Sequence, residues 1–153
     1  MSLDVAGVED APAKVNLALH VRHRRADGFH ELETLFAFTR FGDRLLARPA
    51  DVWRLEVAGP MAEASGPLED NLVLRAARAF AAASGSRDCY ALRLEKRIPV
   101  AAGLGGGSAD AGAALRLLNR LAGSPVLFAV FDMPWAPFFV VMIFAFHPWL
   151  GWM

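Results

Sequence analysis

The chain has 153 residues, a length that suits one domain able to bury a core. Sixteen Lys and Arg balance sixteen Asp and Glu, which argues against a nucleic-acid binder steered by bulk charge. A single cysteine, Cys89, excludes an internal disulfide framework and a CxxC metal or redox site. The opening MSLDVAGVED is acidic and has no apolar run, so no cleavable signal is expected and the expected compartment is cytoplasmic.

Composition breaks late in the chain. Residues 1–120 carry all sixteen basic and fifteen of the sixteen acidic side chains. Residues 121–153 carry one charge, Asp132, with six of the eleven Phe and three of the four Trp. The expected division is a folded segment over 1–122 followed by an apolar tail over 123–153, either a membrane segment or the product of a fusion or frameshift.

In chain order, Ala13–Val21 alternates. Ala13, Val15, Leu17, Leu19 and Val21 form one face, expected to be buried, with Lys14, Asn16, Ala18 and His20 on the other. Asp27-Gly28 signals a turn, and a second strand is expected over Leu32–Phe41. A third and a fourth strand are expected over Arg44–Ala47 and Val52–Ala58, then a loop through GPMAEASGPLED. From Asn71 the period becomes helical, with Leu72, Ala76, Phe80 and Ala83 as the stripe and Gly85 as the C-terminal cap. Tyr90–Ile98 returns to alternation. A second helix is expected from Ser108 to Leu121, burying Ala111, Leu115, Leu118 and Ala122. Several strands, a helix, a strand and a helix make an α+β layered domain.

The strongest chemical signal is the run Pro99, Val100, Ala101, Ala102, Gly103, Leu104, Gly105, Gly106, Gly107, Ser108, Ala109, set between a strand and a helix. Glycine lets backbone approach an anion closely, and a helix N-terminus presents N–H groups and a positive dipole end there. The run is neither a Walker A loop, since no Gly-Lys-Ser/Thr follows, nor a GxGxxG, since Ser108 stands at the third glycine. On this reading Gly106→Val puts a branched side chain where backbone meets phosphate. Lys14 and Asn16 are polar residues on a strand, suited either to a transferring phosphate or to solvent. Phe29 and His30 offer a ring and an imidazole for a base. Asn71 reads first as a helix N-cap.

The segments APAKVNLALHV (11–21), RRADGFHELETLFAF (24–38), EDNLVLRAARAF (69–80) and PVAAGLGGGSADA (99–111) resemble the N-terminal half of a GHMP-superfamily small-molecule kinase. The resemblance covers about residues 10–122. It implies a fold like domain 2 of ribosomal protein S5, containing a left-handed βαβ crossover. It also implies ATP and Mg²⁺ as cofactors, and a cytidine-diphosphate sugar alcohol of non-mevalonate isoprenoid biosynthesis as the substrate, phosphorylated on a hydroxyl. By resemblance Lys14 is catalytic. Asn16, Phe29 and His30 bind substrate, Phe29 standing where the family more often has Tyr. Asn71 and Lys96 lie near adenine, residues 99–109 wrap the triphosphate, and Ser108 lies near Mg²⁺. No nucleic-acid partner is implied.

Members of that family continue into another helix, a Gly-Ala-Asp-Val-Pro motif whose Asp acts as base, and a second domain. Here Asp132-Met133-Pro134 echoes Asp-x-Pro but follows the loop too soon to leave room for that helix. The stretch SPVLFAVFDMPWAPFFVVMIFAFHPWLGWM instead resembles a transmembrane segment of type I secretion ABC transporters. Its residues 133–153 are free of formal charge, long enough to span a bilayer and interrupted by Pro134, Pro137 and Pro148. The alternative to a kinase fragment is a non-catalytic nucleotide-binding module, with membrane attachment through that tail.

Overall fold

A long antiparallel hairpin sets the frame. Strand β1 (Gly7–Arg24) and strand β2 (His30–Ala50) are joined by a turn at Asp27-Gly28, where Gly28 takes φ +87°. The Asp27 carboxylate accepts from the Phe29 N–H at 3.1 Å, and the Arg25 N–H donates to the Phe29 carbonyl at 2.7 Å. The computed structural model describes residues 5–123, so the apolar tail and its transporter likeness lie outside the described residues. The site lies within residues 5–118, in the first of the two units into which the chain divides.

The two expected strands over 32–41 and 44–47 are one strand, because β2 does not break at Gly42. Glycine is required there: a Cβ would lie 2.5 Å from the Ala11 carbonyl oxygen on β1. Strand β3 (Arg54–Ala58), helix α1 (Leu72–Ser84) and strand β4 (Cys89–Glu95) follow, with two short 3₁₀ turns between β3 and α1. The sheet order is β1-β2-β4-β3, with β3 and β4 parallel and the other pairs antiparallel. Crossover through α1 therefore makes the βαβ unit. Helix α2 (Gly106–Leu121) begins two residues before the expected Ser108.

One face of the sheet is buried. Ala11 and Ala13 of β1, Asp43, Leu45 and Ala47 of β2, and Leu92 and Leu94 of β4 all lie on it. Of the expected helix stripes Phe80 and Leu118 are buried, while the other buried positions lie about a residue from those expected. In α1 the buried residues are Val73, Leu74, Ala77 and Phe80, while Leu72 is exposed. In α2 they include Ala113, Ala114, Leu117 and Leu118. Alanine-rich helices carry a flat apolar profile, so periodicity alone places the stripe loosely.

The larger departure is in the hairpin. Pairing runs Lys14↔Phe38 and Asn16↔Phe36, then Ala18↔Leu35, Leu19↔Thr34 and Val21↔Leu32. β1 thus holds one extra residue between Asn16 and Ala18, a β-bulge. Because side chains alternate with period two, the bulge transfers Leu19 and Val21 to the face that carries Lys14 and Asn16. The expected continuous buried face does not form. Ala13 is buried, but Leu17, Leu19 and Val21 are exposed, as are Leu32, Leu35, Phe36 and Phe38 across the hairpin.

Stability should follow this division. Leu92→Ala empties a site that is 2% exposed and is expected to cost about 2–5 kcal/mol, while Leu19→Ala, at a site 53% exposed, should cost less than about 0.5 kcal/mol. Denaturant unfolding of the two variants checks this; equal losses would show that the outer hairpin is buried in solution.

Candidate functional site

The loop between β4 and α2 is shaped by left-handed backbone at three positions: Ala101 at φ +59°, Gly103 at +74° and Gly105 at +68°. An alanine in that region is strained, a feature that concentrates at binding loops. The Ala109 N–H donates to the Gly105 carbonyl at 3.0 Å, so the amides of Gly106, Gly107 and Ser108 precede the first helical bond. Those donors sit at the mouth of a cavity of about 380 Å³ lined by Pro99 through Ser108, with Ser65, Asp70, Asn71, Leu72, Lys96 and Asp110. The structure therefore gathers Asn71, Lys96 and the loop around one space.

Asn71 caps α1: its Oδ1 accepts from the Val73 N–H at 3.0 Å. Lys96 is buried and its ammonium is taken by two carboxylates, donating to Asp43 Oδ2 at 2.5 Å and Asp110 Oδ2 at 2.6 Å. Asp43 also accepts, through Oδ1, from the backbone N–H groups of Arg97 at 2.5 Å and Ile98 at 2.8 Å. The second oxygen of Asp110, Oδ1, is buried without a hydrogen-bond partner among the described residues.

One cation thus faces two carboxylates in different states. Burial alone would raise the Asp43 carboxyl, but the Lys96 bond and the amides of Ile98 and Arg97 outweigh it and hold it below the ordinary value. Asp110 has no such amides. Burial pushes it up to about 7 against the pull of Lys96, and the nearby Asp43 charge adds to the rise. For Lys96, burial opposes the charge, yet the bonds to Asp110 and Asp43 prevail and its ammonium is held above the ordinary value.

Lys14 lies on a second cavity, of about 440 Å³, with Pro12, Phe38, Gly105, Ser108, Ala109, Gly112 and Arg116. Gly105 and Ser108 line both spaces. The Lys14 N–H donates to the Leu104 carbonyl at 2.9 Å, pinning the loop to β1. Its ammonium donates to Asn16 Oδ1 at 2.7 Å and lies 5.7 Å from the Phe36 ring centroid. Asn16 Nδ2 donates to Thr34 Oγ1 at 2.6 Å, and that hydroxyl donates to the Ala18 carbonyl at 2.9 Å. Since the threonine proton is spent, the Asn16 amide must turn its nitrogen to Thr34 and its oxygen to Lys14.

Phe29 and His30 line neither cavity. They stand at the hairpin tip: His30 is eight residues along β2 from Phe38, roughly 26 Å of strand, and Phe29 precedes it in the turn. Gly106 is tight on the protein side as well. A Cβ there would meet Lys96 Nζ and Ile98 Cγ2, each at 3.1 Å, so Gly106→Val would strike the buried cluster beneath the loop. Asp43, Asp110 and Thr34 were not among the expected site residues. Asp110 lies inside the glycine-loop segment, one position beyond the residues expected to wrap phosphate. Asp43 had one signal, a carboxylate directly after the glycine of a strand.

The family model described as "GHMP kinases N terminal domain" matches residues 71–129. A crystal structure of 4-(cytidine 5'-diphospho)-2C-methyl-D-erythritol kinase superposes with TM-score 0.68 at 44% identity, covering 83% of this chain and 45% of that one. The fold is that of the GHMP kinases. A homoserine kinase from Cytophaga hutchinsonii, at TM-score 0.57 and 21% identity, covers 77% of this chain and 35% of its own and shares the fold. The 4-diphosphocytidyl-2-C-methyl-D-erythritol kinase of Rhizorhabdus wittichii is 57% identical over 117 residues, 75% of this chain and 40% of the relative. That of Xanthobacter autotrophicus is 57% identical over 123 residues, 78% and 42% respectively. The chain spans about two-fifths of the length of these curated relatives.

The lowered Asp43 carboxyl fixes a pH dependence. Its stabilising contribution is complete above the ordinary carboxylate range and is lost as pH falls through its lowered value. Thermal unfolding between about pH 7 and pH 3 is expected to show Asp43→Asn several degrees below wild type at neutrality, with the gap closing towards acid. A gap that stays constant would show that the charge of Asp43 contributes nothing.

Proposed function

We propose that residues 10–122 are the nucleotide-binding half of a cytoplasmic small-molecule kinase. The reaction would transfer the γ-phosphoryl group of ATP to the 2-hydroxyl of 4-diphosphocytidyl-2-C-methyl-D-erythritol, in non-mevalonate isoprenoid biosynthesis. What carries the reading is the junction at Gly105 and Ser108, where the amide-rich loop cavity meets the cavity of Lys14. Phosphoryl transfer is catalysed mainly by positioning and by neutralising charge, and such a junction offers amides from one side and an ammonium from the other.

In this reading the loop 99–109 holds the triphosphate and Asn71 lies towards adenine. Lys96 lies there too, through its position at the base of the cavity, since its ammonium is already bonded to carboxylates. Lys14 neutralises the transferring group, Asn16 orients Lys14 and meets the substrate hydroxyl, and Phe29 and His30 receive the cytidine. Mg²⁺, when bound, would supply further neutralisation of the triphosphate. Among the described residues no group of three His, Cys, Asp or Glu could hold a metal. Ser108 fits as a single protein oxygen for an ion held mostly by phosphate and water.

A second reading has its own observation. No carboxylate lines the Lys14 cavity among the described residues, so none of these residues supplies a general base beside the lysine. Residues 1–153 by themselves then bind nucleotide without turning it over. Among the described residues no helix is long and apolar enough to cross a membrane, and the proposed attachment through 124–153 lies outside them.

Two experiments follow. In a chain extended to the relatives' full length, Lys14→Met is expected to lower kcat at least about a hundredfold while ATP affinity changes less than about threefold. An unchanged kcat would return Lys14 to a solvated strand face. Residues 1–153, purified in mild detergent and given substrate, ATP and Mg²⁺, are expected to bind ATP and release no ADP. Substrate-dependent ADP formation would show that a base is present after all.

A further inference from the structure

The glycine loop has two stems, and one buried cation ties them together. On the incoming side, Asp43 Oδ1 holds the amides of Arg97 and Ile98, immediately before Pro99. On the outgoing side, Asp110 is the fifth residue of α2, one turn in from its start. Lys96 Nζ joins the two through Asp43 Oδ2 and Asp110 Oδ2, and all three side chains are at least nine-tenths buried. The loop itself is mostly exposed, and its own backbone supplies few fixed contacts. Leu104 is held by β1 at the loop's apex side, while positions 101 and 103 keep left-handed backbone with nothing packed against Gly103.

We infer that Asp43, Lys96 and Asp110 are positioning residues. Together they set the separation and direction of the two loop stems, and so hold the loop amides in the arrangement that receives a polyphosphate. The close approach of Gly106 supports this. A Cβ added to Gly106 would lie 3.1 Å from Lys96 Nζ, so the first residue of α2 packs close against the cation. Breaking the tie to Asp110 frees the start of α2 from β4 while leaving the apolar core of sheet and helices in place. None of the three need touch the nucleotide's reacting atoms. The inference rests on the nucleotide reading for its consequence, but the ordering of the loop can be measured without nucleotide.

The experiment is amide hydrogen exchange on the whole chain, paired with ATP titration by calorimetry. Asp110→Ala is expected to speed exchange at residues 99–109 at least about tenfold, with Leu45, Leu92, Leu94 and α1 unchanged. ATP affinity should fall at least about tenfold. Asp110→Asn, which keeps an oxygen for Lys96, should restore both to within about threefold of wild type. Should Asp110→Ala fail to fold, Asp43→Asn carries the same exchange test, because its amide nitrogen must face either Lys96 or the N–H groups of Arg97 and Ile98, and either tie to the incoming stem is lost. Loop exchange unchanged from wild type, or faster exchange spread equally through sheet and α1, would overturn the proposal. So would a loosened loop with undiminished ATP affinity. If wild type binds no ATP, the nucleotide reading falls, and the exchange comparison still decides whether the cluster orders the loop.

Discussion

A lysine ammonium buried between two carboxylates is the constraint on which the rest of this domain depends. Removing one ion from water costs several kcal/mol, and the loss is recovered only when partners are close and well aligned. Lys96 meets that condition with residues 53 positions earlier and 14 positions later in the chain. The end of β4, the middle of β2 and the start of α2 must therefore meet at one point. Two negative charges around one positive would leave an excess of charge in the interior. Backbone amides absorb it at Asp43, and the elevated carboxyl of Asp110 lessens it on the other side. The asymmetry comes from geometry alone, since the two side chains are chemically identical.

From that point the sheet and the loop are connected twice. The cation holds the loop from below, and the peptide N–H of Lys14 holds it from the side of β1. Lys14 is thus fixed to the loop through its backbone while its side chain is steered by Asn16 and, through Asn16, by Thr34. A threonine on the partner strand decides which end of an amide the lysine sees. That dependence has no expression in the spacing of residues along the chain.

Much of the site was legible in the sequence. A run of glycines before an alanine-rich helix has few uses other than close backbone approach, and the cap residues Asn71 and Gly85 sit where helix ends demand them. The alternation over Tyr90, Leu92 and Leu94 marked a buried strand face, and all three are buried. What escaped were features set by pairing between distant segments. Asp43 and Asp110 looked like ordinary polar residues because their partner lies elsewhere in the chain. Gly42 looked like a strand break because its reason, the Ala11 carbonyl, belongs to the neighbouring strand. The bulge near Leu17 left no mark in the hydrophobic pattern, since Leu19 and Val21 continue the alternation without interruption.

That bulge has a chemical outcome. Along one face of the hairpin, the first positions present an ammonium and an amide, from Lys14 and Asn16, and the later ones present the aliphatic groups of Leu19 and Val21 with Leu32 across from Val21. Without the extra residue the same face would continue with Ala18 and His20. A single inserted residue thus replaces Ala18 and His20 on this face with Leu19 and Val21. The exposed aliphatic groups of Leu19 and Val21 are thereby carried onto the face of the lysine, although the strand's own alternation would have sent them to the opposite one.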